Sequence, residues 1–272
     1  MLWKLKEAAI AVGDSKIDYA VFGKGSRPLV IVPGLTVRDV KGAGTGLALM
    51  YRCFARDYRV YVLDKKADIS LGCTVADLAD DTASAMQALG LSDACVFGVS
   101  LGGMIAEELA IRYPALVGKL VLGVTASRTN ETLDAVVERW IDLIERDDFT
   151  TFTRDMLACM YSKKYIRRYR WLLPLLSRLS RPKNKERFLR LARAALTADS
   201  YGRLGEIGCR TLVLGGEEDK VVTAAASREI ADALGCECYL YPGLGHAAYE
   251  EASDFNRRRQ QFFAQGYEHD KP

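Results

Sequence analysis

Short apolar runs alternate with helical patterns along most of this 272-residue chain. The runs are rich in Val, Leu and Tyr and predict strands buried on both faces; they lie at 29–32, 59–63, 94–98, 119–123, 210–214 and 237–241. The helical patterns between them predict helices over 44–56, 75–89 (with Thr74 as its N-cap), 101–112, 224–234 and 252–264. This alternation predicts an α/β fold, with a mostly parallel sheet covered by helices on both faces.

Two parts of the chain depart from the alternation. The segments AAIAV and KIDYAVFG are joined at Gly13-Asp14, which predicts a hairpin that adds an antiparallel edge to the sheet. From 128 to 200 the sequence becomes helical, charged and aromatic, and it contains no strand-like run. We therefore predict a core made of 1–127 and 201–272, with 128–200 inserted as an all-helical cap.

The charges of this cap are unevenly distributed. Residues 131–155 carry most of its acidic side chains, whereas 163–193 has one acid, Glu186, among many Lys and Arg side chains. One interpretation is a set of solvated helix faces, with Tyr165, Trp171, Leu172, Leu175 and Phe188 on the inner side. The alternative is attraction of an anionic acyl substrate or a membrane surface. No nucleic-acid-binding motif accompanies the basic run, so nucleic acid is not expected as a partner.

Composition restricts the possible classes of protein. Apolar residues make up 49% of the chain, enough for a full core, yet no apolar run reaches 18 residues, so we expect no transmembrane segment. The N-terminal stretch lacks a signal-type apolar core, and the seven scattered cysteines are typical of a reducing compartment. We expect a cytoplasmic protein without a structural disulfide. With only two histidines, we also expect no metal site.

The stretch CVFGVSLGGM, residues 95–104, carries the strongest chemical signal. Ser100 lies between Gly98 and Gly102, after a predicted strand and before a predicted helix. The glycines leave room for a tight turn that raises the hydroxyl above the sheet, and the helix directs its N-terminal N–H groups toward the same place. A small residue at a sharp turn would fit the five-residue pattern as well, but the strand and helix around it favour a nucleophile.

A serine nucleophile needs a base that a third group orients. His246 follows the last predicted strand and precedes the last helix, so it should lie at the same edge of the sheet as Ser100, whereas His269 belongs to a polar tail. An acid should follow the 210–214 strand, and Asp219 is the candidate, with Glu218 as the fallback. The alternative for both acids is a solvated turn.

These motifs together resemble the α/β-hydrolase superfamily, whose order of nucleophile, acid and histidine is the one found here. The resemblance spans nearly the whole chain and rests on VIVPGLT, GVSLGGMIAEELAIRYP with KLVLG after it, LVLGGEEDKVV and GLGHAAYEE. It implies an eight-stranded sheet, a helical cap after the sixth strand, no cofactor, and an oxyanion hole made by the backbone N–H groups of Leu35 and Leu101. Pro33 stands where relatives commonly have a histidine, and LDKKADISLGCT replaces their Gly-rich loop after the fourth strand.

The function that follows is a serine hydrolase with the triad Ser100, Asp219 and His246, acting on a small ester or lactone. The same residues could serve carbon–carbon bond hydrolysis or cofactor-free perhydrolase or haloperoxidase-like chemistry. A protein of another class, a ligand-binding receptor or scaffold that keeps the hydrolase fold, is the second hypothesis. The expected partner is a small-molecule acyl substrate, and the sequence leaves the oligomeric state open.

Overall fold

The protein is described by a computed structural model that covers residues 3–169, 171 and 181–265. Within these residues, eight strands form one sheet in the order β1-β2-β4-β3-β5-β6-β7-β8. Their bounds are Lys6–Val12 (β1), Ser15–Phe22 (β2), Arg27–Val32 (β3), Tyr58–Leu63 (β4), Ala94–Val99 (β5), Val117–Gly123 (β6), Arg210–Gly216 (β7) and Glu237–Tyr241 (β8). β1 and β2 pair antiparallel, β2 also runs antiparallel to β4, and the remaining pairs are parallel. The predicted α/β fold with an antiparallel edge is confirmed.

Burial along the strands follows their place in the sheet. All six residues of β5, at the centre, are buried, as expected for a parallel strand with helices on both faces. β8 is the last strand of the sheet, and only its final residue, Tyr241, is buried. The expectation of two buried faces is therefore wrong for β8, because an edge strand has a neighbour on one side only.

The helices mostly begin and end where the sequence patterns place them. They are α1 Gly44–Met50, α2 Val75–Ala88, α3 Leu101–Arg112, α4 Glu131–Glu145, α5 Phe149–Met160, α6 Lys163–Tyr169, α7 Lys185–Ala195, α8 Ala224–Leu234, α9 Ala248–Glu251 and α10 Phe255–Ala264. The helix predicted over 44–56 is instead α1 followed by a 3-10 turn over Arg52–Phe54, and two further 3-10 turns span Pro114–Leu116 and Tyr201–Glu206. As predicted, Thr74 caps α2: its side-chain oxygen accepts a hydrogen bond from the Asp77 N–H, and its backbone N–H donates to the Asp77 carboxylate.

Two apolar clusters are buried, and each draws on the sheet. One contains Leu120 and Leu109 together with Trp140 and Phe152, so the helices between β6 and β7 share a core with α3. The other contains Phe97 and further aromatic side chains from the Arg52–Phe54 turn and α10. The sheet is therefore held by packing on both of its faces, and its strand ends are fixed with respect to one another.

The helices α4, α5, α6 and α7 lie between β6 and β7, in the segment 128–200. The division of the chain into a core and a separate cap stays a prediction. Three residues named in the sequence analysis lie outside the described residues: Leu172, Leu175 and His269. Part of the basic run, 170 and 172–180, lies outside them as well. None of the described helices is long and apolar enough to cross a membrane.

Candidate active site

Ser100 lies in a strained turn between β5 and α3. Its backbone has φ 52° and ψ −122°, a conformation that a non-glycine residue adopts only when its surroundings force it. The flanking glycines permit this turn: a Cβ at Gly98 would lie 2.4 Å from the carbonyl oxygen of Gly102, and one at Gly102 would lie 2.0 Å from that of Val32. The end of β3, the turn at Ser100 and the start of α3 therefore lie too close together for a side chain at residue 98 or 102. This is why the motif has glycine at both positions.

His246 reaches Ser100 from the loop between β8 and α9. Its Nε2 lies 3.0 Å from Ser100 Oγ, and the residue is 3% exposed. The other ring nitrogen, Nδ1, lies 2.9 Å from Asp219 Oδ2. Because a carboxylate at Nδ1 favours a proton on that nitrogen, Nε2 is left to accept a hydrogen bond from the serine hydroxyl.

Asp219 occupies the turn after β7, and its side chain is fully engaged. Oδ2 faces His246, while Oδ1 accepts hydrogen bonds from the backbone N–H groups of Val221 (2.8 Å) and Val222 (3.0 Å). Burial opposes ionisation of Asp219, but His246 and these hydrogen bonds outweigh burial and lower the pKa of the carboxyl. Asp219 is thus a buried carboxylate of fixed orientation, whereas Glu218, the fallback acid, is exposed.

The loop after β3 brings the backbone close to Ser100. A Cβ at Gly34 would lie 3.1 Å from Ser100 Cβ and 3.7 Å from its Oγ, so Gly34 passes directly beside the hydroxyl. Leu35 follows in this loop, and Leu101 is the first residue of α3. The first N–H groups of a helix have no acceptor within the helix, so the Leu101 N–H is available to an anion beside Ser100.

Sequence reasoning missed one residue at this site, Lys65. It follows β4 and is 5% exposed, and its Nζ donates to the carbonyl oxygens of Pro33 and of Gly34, the latter at 2.6 Å. Burial, opposed by Asp64 and reinforced by Arg187, lowers the pKa of Lys65 to about 7. The sequence contains one signal for Lys65: LDKKADISLGCT differs from the Gly-rich loop of relatives. The signal does not identify the residue, because a lysine in a charged loop is expected to contact solvent.

The chain matches the family profile described as the alpha/beta hydrolase fold over residues 27–253. It belongs to the α/β-hydrolase family. The protein RutD of Rhizobium rhizogenes, named for carbamate hydrolysis, is 26% identical over 81% of this chain and 88% of its own length. The 2-hydroxy-6-oxo-6-phenylhexa-2,4-dienoate hydrolase of Comamonas testosteroni is 30% identical over 66% of each chain.

Solved structures have the same fold. The enol-lactonase from Burkholderia xenovorans LB400 superimposes with a TM-score of 0.82 at 20% identity, covering 95% of this chain and 100% of its own. The family and the names of the relatives identify the protein as a hydrolase. Among the described residues of this hydrolase, no group of three or more His, Cys, Asp or Glu side chains could hold a metal ion.

The helices after β6 contact the histidine loop of this α/β hydrolase. The carbonyl of Met160, the last residue of α5, accepts a hydrogen bond from the N–H of Ala247 at 2.8 Å. Ser162 donates to the Glu251 carboxylate from both its backbone N–H (2.9 Å) and its hydroxyl (2.5 Å). The α5–α6 junction therefore holds the backbone immediately after His246.

Folding pairs several cations of the basic segment with acids distant in sequence. Arg187 on α7 is the most buried: its guanidinium contacts Asp64 at 2.9 Å and Asp39 at 3.4 Å, with 10% of the side chain exposed. The other pairs are Lys183–Asp39, Lys185–Asp147, Arg190–Glu186 and Arg193–Glu145. On α6, Lys163, Lys164, Arg167 and Arg168 have no ion-pair partner among the described residues. Among the described cations of the basic segment, those without an ion pair therefore lie mostly on α6, next to the α5–α6 junction.

Proposed function

We propose that this α/β hydrolase is a serine hydrolase that cleaves a small ester or lactone through an acyl-enzyme on Ser100. The observation that carries the proposal is the unbroken line of hydrogen-bonding groups from Asp219 through His246 to Ser100, with distances of 2.9 and 3.0 Å. The 3.0 Å between Ser100 and His246 is within the range over which a proton passes from a nucleophile to its base, and the 2.9 Å between His246 and Asp219 is a hydrogen bond that orients the base.

In the proposed mechanism, Ser100 Oγ attacks the acyl carbonyl carbon while its proton passes to His246 Nε2. The Asp219 carboxylate stabilises the imidazolium, and the N–H groups of Leu35 and Leu101 bind the oxyanion of the tetrahedral intermediate. Collapse of the intermediate breaks the ester C–O bond, and the alcohol leaves with the proton from His246. Water, deprotonated by the same nitrogen, then releases the acid and restores Ser100; in a lactone the alcohol stays attached to the acid.

A second candidate within the same chemistry is hydrolysis of a carbon–carbon bond. It is supported by the Comamonas relative, whose name specifies a hydrolase of a 2-hydroxy-6-oxo-dienoate. Carbamate cleavage, named for the Rhizobium relative, and perhydrolase or haloperoxidase-like activity would employ the same nucleophile. These reactions differ in the substrate that reaches Ser100, so a panel of ester, lactone, carbamate and dienoate substrates would separate them.

A ligand-binding receptor with the same fold is the alternative from another class. Backbone strain of the kind found at Ser100 costs about 1–3 kcal/mol, and a binder gains nothing from it. A buried carboxylate held by two backbone N–H groups and aimed at a histidine is likewise unnecessary for binding alone. Both features support catalysis.

Labelling with a fluorophosphonate tests the proposal without knowledge of the substrate. We expect mass spectrometry to locate the adduct on Ser100, and Ser100→Ala to abolish both labelling and hydrolysis of p-nitrophenyl esters. Loss of a triad nucleophile lowers kcat by about a millionfold, so residual activity above about 1% would contradict the assignment. Ser84→Ala, at an exposed serine of α2, is the matched control and should behave as wild type.

A further inference from the structure

The buried ammonium of Lys65 touches the loop that supplies one proposed oxyanion donor. Its Nζ donates to two consecutive carbonyl oxygens, those of Pro33 and Gly34. Gly34 in turn passes beside the Ser100 hydroxyl, and Leu35 is the next residue of the same loop. An amine in this position connects the strand end of β4 with the backbone next to the nucleophile.

The geometry of the peptide bond makes this contact informative. The carbonyl of Gly34 and the N–H of Leu35 belong to one planar trans peptide, so they point in opposite directions. Fixing the oxygen on Lys65 therefore fixes the direction of the Leu35 N–H. A cation on the oxygen also polarises the peptide and makes the N–H a stronger donor, because linked hydrogen bonds strengthen one another at low dielectric.

The segment that carries Lys65 is itself held from two sides. The Asp64 carboxylate accepts hydrogen bonds from the N–H groups of Val40 and Lys65, both at 2.8 Å. Arg187, from α7, donates to the Lys65 carbonyl at 2.8 Å and to Asp64 at 2.9 Å. The charged groups that face Lys65 are those of Asp64 and Arg187, with Asp18 and Asp39 lining the same cavity of about 150 Å³.

We infer that Lys65 is a positioning residue for hydrolysis: its ammonium holds the Pro33–Gly34–Leu35 backbone so that the Leu35 N–H faces the developing oxyanion. The inference rests on the proposed function, since it presupposes a reaction at Ser100. It explains how the loop is oriented although Pro33 has no N–H to donate and no side-chain donor. Lys65 itself does not touch the reacting atoms.

The test compares Lys65→Met with Lys66→Met by the rate of fluorophosphonate labelling at Ser100. The phosphonyl oxygen of the adduct occupies the oxyanion hole, so labelling reports on the hole without a known substrate. Deletion of an oxyanion donor costs about 100- to 1,000-fold. We expect Lys65→Met to lower the maximal labelling rate about 10- to 100-fold, because the donor remains but is no longer held. The apparent inhibitor affinity should change less than about twofold, as expected when an interaction is lost only in the transition state.

Lys66→Met is the matched control, because Lys66 lies one residue further along and pairs instead with Asp14 and Asp81. It should label at the wild-type rate. Equal labelling of folded Lys65→Met and wild type would overturn the inference. Absence of labelling at Ser100 in the wild type would overturn the proposed function, and the two failures are therefore distinguishable.

Lys65→Arg provides a second measurement should Lys65→Met fail to fold. Deprotonation of Lys65 weakens its bonds to the two carbonyls, so the wild-type labelling rate should fall relative to that of Lys65→Arg as the pH rises through about 7, the pKa of Lys65. A guanidinium stays charged over this range. The ratio of the wild-type rate to the Lys65→Arg rate should therefore decrease several-fold between pH 6 and 8.5, and a constant ratio would contradict the inference.

Discussion

At the scale of single residues, the site depends on groups whose orientation is imposed by the backbone. Ser100 has a positive φ, His246 lies in a loop, and Asp219 is oriented by two N–H groups of its own turn. A sequence motif can indicate each of these three residues. Each follows a strand, and the strand determines at which edge of the sheet the residue lies.

We expect Asp219→Asn to lower kcat by about four orders of magnitude, as the equivalent change does in a chymotrypsin-type triad. The structure gives the reason. The N–H groups of Val221 and Val222 require an oxygen at the Oδ1 position, so the amide NH2 of Asn must face His246 Nδ1. Nδ1 must then accept, the ring proton moves to Nε2, and the imidazole can no longer take the proton of Ser100.

Glu218→Gln is the control for this prediction, because its exposed side chain lies one residue away. Steady-state kinetics with a p-nitrophenyl ester should place Glu218→Gln within a few-fold of wild type. A larger loss for Glu218→Gln than for Asp219→Asn would transfer the role of the acid to Glu218 and leave the remaining mechanism unchanged.

Local sequence could indicate Ser100, Asp219 and His246 but not Lys65. The first three follow strand ends in an order and spacing that have a mechanical reason. Lys65 follows a strand end as well, but its role depends on burial beneath a loop 31 and 32 residues earlier in the chain. Nothing near a lysine in the sequence indicates whether carbonyl oxygens or water will surround its ammonium.

At the scale of elements, α7 illustrates why a run of cations is a poor guide to surface charge. The sequence shows one acid in this segment, whereas folding brings Asp39, Asp64 and Glu145 to it from distant elements. The helices themselves were predictable from periodicity. Their ion pairs were not, because those pairs depend on how the helices pack on the core.

We expect Arg187→Met to destabilise the protein far more than Arg193→Met. Arg187 and Asp64 are 10% and 5% exposed, and breaking a buried pair costs about 3–5 kcal/mol because an unpaired charge stays behind. Arg193 and Glu145 are nearly half exposed, and such a pair contributes about 0–1 kcal/mol. Urea unfolding of both variants measures the difference, and equal losses would contradict it.

We propose that the cations of α6 attract an anionic substrate. The alternative is that they form only a solvated helix face. Its unpaired cations lie next to the junction that contacts the His246 loop. The specificity constant for a carboxylate-bearing ester should then exceed that for its neutral isostere. The advantage should shrink as salt shortens the Debye length from about 30 Å at 0.01 M to about 8 Å at 0.15 M.

Arg167→Glu combined with Arg168→Glu should remove this preference without slowing hydrolysis of the neutral ester. Arg52→Glu combined with Arg56→Glu is the control, because these residues precede β4 and so lie at the opposite end of the parallel strands from Ser100. Equal salt dependence of both esters would identify α6 as a solvated face only.

At the scale of the whole molecule, one buried acid links the core with the helices after β6. Glu107 on α3 is 0% exposed; its Oε2 lies 2.6 Å from Ser200 Oγ, and its Oε1 has no partner among the described residues. The Ser200 hydroxyl also lies 3.1 Å from the Ser127 carbonyl, so a protonated Glu107 can donate to Ser200 while Ser200 donates to Ser127. Burial raises the pKa of Glu107 to about 8, reinforced by Glu108 and opposed by the Ser200 hydrogen bond.

This raised pKa makes the stability of the fold depend on pH. Between the unfolded pKa of about 4.5 and the folded pKa of about 8, the folded state holds a proton that the unfolded state has released. The stabilisation that Glu107 contributes is therefore complete below pH 4.5 and is lost as the pH rises through about 8. Gln at this position imitates the protonated acid at every pH.

We therefore expect Glu107→Gln to gain stability relative to wild type as the pH rises. Each pKa unit corresponds to 1.36 kcal/mol, so the difference in unfolding free energy should grow by about 3 kcal/mol between pH 5 and pH 8. Urea unfolding at both pH values measures it. Glu108→Gln removes a neighbouring carboxylate that pairs with Arg203 at 3.3 Å, so it controls for the loss of one negative charge. It should still lose stability as the pH rises, over a narrower pH range than wild type, because Glu108 is a minor cause of the raised pKa of Glu107. If Glu107→Gln and wild type differ by the same amount at both pH values, Glu107 is ionised in the folded protein, and Ser200 donates its proton to Glu107 rather than to the Ser127 carbonyl.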